Sequence, residues 1–311
     1  MNDFFQDNIF HPARKSQALE MRAKLIQGIR HFFINSSFLE VDTPVRIPSP
    51  APEEHIEALR SEDWFLQTSP ELCMKRLLAA GYPRIFQICK CFRAGERGDL
   101  HLPEFTMLEW YVAGFDYRQL MAQCRNLIVA VAQNQGLTEI KRDNRTIALT
   151  PPWESITVED AFLRYAPLTL DEALGQGTFD EILVDCIEPR LGIGKPTFLY
   201  DYPASLAALA KLKDNHRTVS ERFELYIGGL EIANGFSELT DAAEQRKRFE
   251  EALKKRAEKK WSEYLMPEKF LQSLGHLPPC AGIALGIDRL VMIITGANCI
   301  DDVVAFIPEN L

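Results

Sequence analysis

Between Phe92 and Tyr111 the chain follows a pattern that few folds can use. An apolar run ending at Cys91-Phe92 reads as a strand, the charged, glycine-containing stretch after Arg93 as a loop, and residues 105–112 as a second strand, so the whole is a long-looped hairpin. Side chains alternate along a strand, which puts Phe105, Met107, Glu109 and Tyr111 on one face and Thr106, Leu108, Trp110 and Val112 on the other. The second set is a core stripe. The first combines aromatic rings, a carboxylate and a phenol, polar groups that a buried face tolerates only when they are satisfied. Either a ligand does this, or Glu109 and Tyr111 satisfy each other as a buried acid bonded to a phenol.

The order F-R-x-x-E, then H-x-P-E-F-T-M-L-E-W-Y, resembles motif 2 of the class II aminoacyl-tRNA synthetases in its lysyl form. Thr43-Pro44, after an apolar approach from Phe38, resembles their motif 1 strand, and Ala284-Leu285-Gly286-Ile287-Asp288-Arg289-Leu290 resembles motif 3. The three occur in family order, and the similarity runs from about Arg14 to the C-terminus. Within that class the sequence is similar to the elongation factor P (R)-β-lysine ligase family. The resemblance implies an α+β fold with a mostly antiparallel sheet flanked by helices, assembled as a homodimer through residues 39–45. It implies ATP and Mg²⁺ as cofactors, an adenylate of (R)-β-lysine or lysine, and transfer to a lysine of elongation factor P rather than to tRNA. A truncated lysyl-tRNA synthetase and a catalytically silent paralogue acting as a regulatory subunit are the rival readings.

Composition narrows the class further. At 311 residues, 46% hydrophobic and 25% charged, the chain reads as one catalytic domain over residues 1–311. Because motif 1 begins near residue 38, the anticodon-binding barrel of the lysyl-tRNA synthetases is not expected in this chain. No apolar run approaches the roughly 20 residues of a membrane span, and residues 1–8 lack a signal peptide's basic start, so a cytoplasmic location is expected. Seven scattered cysteines fit reduced thiols; Cys89 and Cys91 share a strand face but have no second pair at zinc spacing. The net charge of -9 argues against a general nucleic-acid binder. The basic run in residues 246–260 reads as a solvated helix face or a docking strip for an acidic protein or RNA.

Along the chain, apolar spacing predicts a helix over residues 14–38, leading into a strand over 39–45 that Pro44 confines to an edge or bulge. A short strand at 64–67 precedes a helix start at Thr68-Ser69-Pro70-Glu71, with a hydroxyl cap and an acid at the positive dipole end. A helix is expected over 117–135, a strand, turns and two short helices in 138–190, a strand over 197–202, and alternation over 222–235 broken by Gly228-Gly229. Asp241 is expected to cap a helix running to about Lys260.

The resemblance distributes roles. Arg93 would bridge carboxylate and α-phosphate, and Phe105 would floor the adenine that Arg289 covers while reaching the γ-phosphate, with Glu96, His101 and Ile232 around the nucleotide. Glu231 with Glu238 would bind Mg²⁺, although structural salt bridges are the alternative for these acids. The substrate ammonium tail would meet Glu109, Tyr111 and Glu238, and its carboxylate Asn234. Glu71, otherwise a dipole partner, would take the α-amino group beside Ser69 and Pro70. Two departures stand out: Gly95 occupies the adenine-contacting glutamate's place, with Glu96 one residue late, and Leu102 replaces an asparagine. Ala284, beside Gly286, stands where lysyl-tRNA synthetases carry glycine; its methyl is expected to discriminate lysine isomers.

Overall fold

The expected hairpin lies inside a nine-stranded mixed sheet. The computed structural model describes residues 15–311; Arg14, where the first helix was expected to begin, and residues 1–8 lie outside the described residues. In chain order the main strands are β1 (Leu39–Glu40), β2 (Arg84–Phe92), β3 (Glu104–Ala113), β4 (Glu154–Thr157), β5 (Thr197–Pro203), β6 (His216–Ile227), β7 (Leu230–Ser237) and β8 (Cys280–Gly286). They lie side by side as β1-β2-β3-β8-β7-β6-β5-β4, with Leu212–Lys213 added against β6. Only β1 with β2 and β5 with β4 run parallel. The mostly antiparallel α+β expectation is therefore met.

Five helices frame this sheet: α1 (Ser16–Asn35), α2 (Glu71–Ala79), α3 (Tyr117–Gln133), α4 (Ala242–Glu258) and α5 (Ile287–Thr295). On one face, Leu25, Ile29 and Phe33 of α1, Leu120 and Leu127 of α3 and Leu290 of α5 close over Leu108, Trp110 and Val112 of β3. Each buried aliphatic or aromatic side chain there contributes about 1.5–3 kcal/mol. The other face carries two separate apolar patches. Near β2, Met74 and Leu78 of α2 and Phe249 of α4 pack around Ile85 and Tyr111; near β5, Val158, Phe162 and Phe179 pack on Leu199, Tyr202 and Tyr226. Between the patches the middle of the sheet faces a cavity.

Several expectations need correction. Residues 39–45 are not one strand: only Leu39–Glu40 joins β2, and Arg46–Ile47 pairs instead with Trp64–Leu66. Pro44, with no N–H to give, sits in the gap between the two sheets. Helix α1 ends at Asn35, and the chain turns at Ser37, whose φ is +61°. The hydroxyl expected at the start of α2 is that of Ser69, whose Oγ accepts the Glu71 N–H at 3.0 Å. In the 138–190 segment the hairpin Glu139–Arg142 with Arg145–Ala148 and the helix Leu170–Gln176 were not anticipated. The Asp143-Asn144 turn of that hairpin takes positive φ at both residues, the conformation such short polar side chains favour.

Most basic side chains of the run in residues 246–260 are exposed, as a solvated helix face requires, and Arg256 is the exception. Arg256 is buried, donates to the carbonyls of Glu53 (2.9 Å) and Ile56 (2.6 Å), and pairs with Glu57, while its guanidinium lies 3.7 Å from the Tyr264 ring centroid. Lys255 donates to Glu54 Oε2 at 2.6 Å. Among the described residues no helix is long and apolar enough to cross a membrane.

Candidate active site

Strand register sets the candidate residues in rows. Gln87, Glu109, Ala284, Asn234 and Glu224 are successive partners across β2-β3-β8-β7-β6, and directly opposed residues point to the same face. Two residues along each strand, Tyr111, Gly282, Phe236 and Arg222 form the neighbouring row. A cavity of about 880 Å³ opens over these rows.

One end of the cavity is acidic. Glu109, 1% exposed, accepts from Ser69 Oγ at 2.6 Å and from the Tyr111 hydroxyl at 2.8 Å. The acid–phenol bond considered from sequence is thus present, on a wall that also faces the cavity. Behind it Lys75 Nζ donates to Glu71 Oε1 at 2.5 Å and pairs with Glu238. Burial works against the Lys75 charge, but Glu238 and Glu71 outweigh it and raise its pKa. Burial also pushes Glu109 up to about 7 and Glu238 up to about 8, reinforced by Glu71 and, for Glu238, opposed by Lys75. Glu238 Oε1 is buried without a hydrogen-bond partner. Gly282 makes this crowding possible: a Cβ there would sit 2.2 Å from a Tyr111 ring carbon and 2.5 Å from Glu238 Oε1.

The opposite end is basic. The Arg93 guanidinium carbon lies 5.1 Å from the Phe105 ring centroid, and its Nη1 is 3.7 Å from Glu96 Oε1. Arg289 donates to the Glu231 carbonyl at 3.0 Å and to Glu231 Oε2 at 3.2 Å, and its Nη2 meets His101 Nε2 at 2.6 Å. Burial, then Arg289, lowers the His101 pKa, which leaves Nε2 free to accept. At the start of α5, Asp288 pairs with Arg22 and accepts the Thr106 N–H at 2.7 Å, while Arg22 also donates to Thr106 Oγ1 at 2.6 Å. Motif 3 is thereby fixed to the motif 2 strand and to α1.

Of the residues singled out from sequence, Ser69, Glu71, Arg93, Glu96, His101, Phe105, Glu109 and Tyr111 line the cavity, as do Glu231, Ile232, Asn234, Ala284, Gly286 and Arg289. Pro70 is not among the lining residues, and Glu238 stands behind the wall. Of the two acids expected to hold Mg²⁺, Glu238 pairs with Lys75 and Glu231 with Arg289. The carboxylates that feel the Glu231 charge are Glu188 and Glu224, and Glu224 accepts from Tyr202 (2.6 Å), Tyr226 (2.7 Å) and Asn234 Nδ2 (3.1 Å) and pairs with Arg222. Among the described residues no group of three or more His, Cys, Asp or Glu side chains forms a closed metal cage.

Sequence reasoning missed Lys75, Gly282, Glu224 and Glu53. Lys75 could have been found four residues after Glu71, one helical turn away, and Gly282 as the first of the small residues Gly282, Ala284 and Gly286 at strand spacing. Glu224 already alternated with the core residues Phe223 and Leu225. Glu53, in the connector that follows the proline-rich residues 48–52, gave no signal.

The sheet order, motif placement and two-ended cavity define a synthetase-type catalytic core, and the sequence matches the class II tRNA synthetase family (D, K and N) over residues 9–310. The chain belongs to that family. Its curated relatives include an elongation factor P (R)-β-lysine ligase of Pseudoalteromonas translucida, 39% identical over 96% of this chain and 98% of that protein. Ligases of the same name from Vibrio atlanticus (39% identical, 96% of this chain and 97% of theirs) and Proteus mirabilis (37%, with the same coverage) are also similar.

Proposed function

We propose that the chain activates (R)-β-lysine, with α-lysine a poorer substrate, as an adenylate and transfers it to a lysine ε-amine of elongation factor P. The observation that carries this reading is the cavity's polarity: buried Glu109 at one end, with Glu238 behind it, and Arg93 and Arg289 at the other. A chain with a terminal ammonium and a distal carboxylate fits that order.

In the first step a substrate carboxylate oxygen bonds to the α-phosphorus of ATP and the bond to the β-phosphate oxygen breaks, releasing pyrophosphate. Arg93 neutralises the charge shared by carboxylate and α-phosphate, and Phe105 offers the adenine an apolar face. Arg289, drawn from Glu231, meets the outer phosphates. Glu231 and Glu224 together fit a Mg²⁺ ion, which takes one or two carboxylates and completes its shell with phosphate oxygens and water; the bound ion would neutralise phosphate charge. In the second step the acceptor amine bonds to the acyl carbon, the bond to AMP breaks, and the amine's extra proton leaves to solvent or a base.

ATP–pyrophosphate exchange with each lysine isomer, followed by transfer assays with elongation factor P and with tRNA, tests this reading. Exchange favouring (R)-β-lysine with transfer to the protein alone is expected. Transfer to tRNA would make the chain a truncated lysyl-tRNA synthetase, and no exchange with any isomer a silent paralogue.

A further inference from the structure

We propose that Glu53 is a second carboxylate, beside Glu71, for the ammonium group that the substrate carries close to its reacting carboxylate. This assignment rests on the amino-acid-activating reading above and adds a specificity element to the same cavity.

Glu53 belongs to a connector that α4 holds from outside. Arg256 donates to the Glu53 and Ile56 carbonyls at 2.9 and 2.6 Å, and Lys259 donates to the Glu54 carbonyl at 3.0 Å. The Glu57 carbonyl accepts the Ala94 N–H at 2.7 Å, which ties the connector to the residue after Arg93. Three acids lie on this connector, and two are spent on the tether: Glu54 pairs with Lys255, and Glu57 with Arg256. The Glu53 carboxylate, among the described residues, makes neither a hydrogen bond nor an ion pair, and Glu53 lines the cavity. A backbone clamped this firmly holds its one unspent acid in place, so a cation arriving there meets a preorganised partner rather than a flexible one.

The neighbours define what cation fits. Burial pushes Glu53 up to about 7, Glu71 adds to the shift, and Arg93, Arg222 and Arg256 oppose it. Glu71 and Arg93 both line the same cavity. An ammonium between Glu53 and Glu71 would relieve the repulsion of the two acids, while the carboxylate attached nearby would meet Arg93. At the far end Glu109 lines the cavity, and behind it buried Glu238 keeps Oε1 without a hydrogen-bond partner, so the tail has an acidic station of its own. Two anionic stations with a guanidinium beside one of them match a diamino acid, and the head station separates it from an acid with only a terminal amine.

The test is Glu53→Gln and Glu53→Asp in the full chain, measured by ATP–pyrophosphate exchange with (R)-β-lysine and α-lysine, and by inhibition of exchange with 6-aminohexanoate, which lacks the head ammonium. Glu53→Gln is expected to raise KM for the diamino acids about tenfold or more, the scale of a lost charged hydrogen bond. The inhibition constant of 6-aminohexanoate and the KM for ATP should stay unchanged, and Glu53→Asp should recover part of the loss. Equal weakening of all three acids would overturn the assignment, since a disturbed connector does that. So would unchanged exchange with impaired transfer, which would place Glu53 at the acceptor amine instead. A parent enzyme inert toward every lysine isomer would overturn the reading of the reaction itself, and this assignment with it.

Discussion

Lys75 and Glu238 form an ion pair that solvent barely touches, with side chains 2% and 0% exposed, and Lys75 reaches Glu71 as well. The protein thus supplies one ammonium of its own to a cluster of acids that, on the proposed reading, awaits another.

Replacing Lys75 by methionine should therefore destabilise the empty protein by about 3–5 kcal/mol, because removing one partner leaves buried charge uncompensated. Urea denaturation of Lys75→Met, Glu238→Gln and the double mutant measures this. The double mutant should recover part of the loss, and an unchanged denaturation midpoint in Lys75→Met would remove the pair from the stability account.

A pH dependence follows from Glu109 and Glu238, whose pKa values burial raises to about 7 and about 8. A carboxyl raised on folding stabilises the native state most below its unfolded value, and that contribution fades as pH climbs through the folded value. Without substrate the melting temperature should therefore drop between about pH 5 and pH 8. Binding of an ammonium favours the ionised acids and has the opposite sign, so KM for (R)-β-lysine should fall over the same window. Glu109→Gln should flatten the KM profile; an unaltered profile would mean that Glu109 does not titrate against the substrate.

Arg93→Ala and Arg289→Ala are each expected to lower pyrophosphate exchange about 10²- to 10³-fold, the usual cost of one preorganised donor to transition-state charge. Circular dichroism should show both folded, since Arg93 and Arg289 contact the cavity rather than the apolar core. Near-parental exchange in either variant would contradict the roles given to them.

Ala284→Gly should shift preference from (R)-β-lysine toward α-lysine, by roughly tenfold in the ratio of kcat/KM values, given that a single carbon in a pocket is worth about 1–3 kcal/mol. Ala284 is directly opposite both Glu109 and Asn234, so its methyl lies between the two proposed substrate ends. The same isomer ratio in mutant and parent would exclude that placement.

Assembly is also testable. The edge strand β1 leaves Leu39 exposed, and Ile34, Val45 and Tyr82 outside it are exposed too; an open apolar edge of this kind favours a partner. The chain should sediment as a dimer at micromolar concentration and Leu39→Asp should shift it toward monomer. A parent that sediments as a fully active monomer would rule this interface out.

Much of the architecture was legible because alternation is a strong local signal. Trp110, Leu108 and Val112 are buried on one face and Glu109 and Tyr111 on the other, as the period of two requires. The 39–45 strand was overread because a pattern says where a strand could form, whereas pairing decides where it does. At the site, motif residues on strands were locatable from register, but Lys75 and Glu53 were not assigned. Their roles depend on which distant groups tertiary structure sets beside them, Glu238 for the first and Glu71 with Arg93 for the second.

The row from Gln87 through Glu109, Ala284 and Asn234 to Glu224 has a meaning for how a newly made chain is sorted. A slip of one residue between any two of these strands would turn polar side chains into the helical layer and apolar ones into the cavity. Such a product would lose its site and carry buried unpaired charge at once, so it would be inert and quickly unfolded instead of a partly working enzyme of relaxed selectivity. Correct alignment of the sheet and fidelity toward the amino acid are, in this protein, one and the same checkpoint.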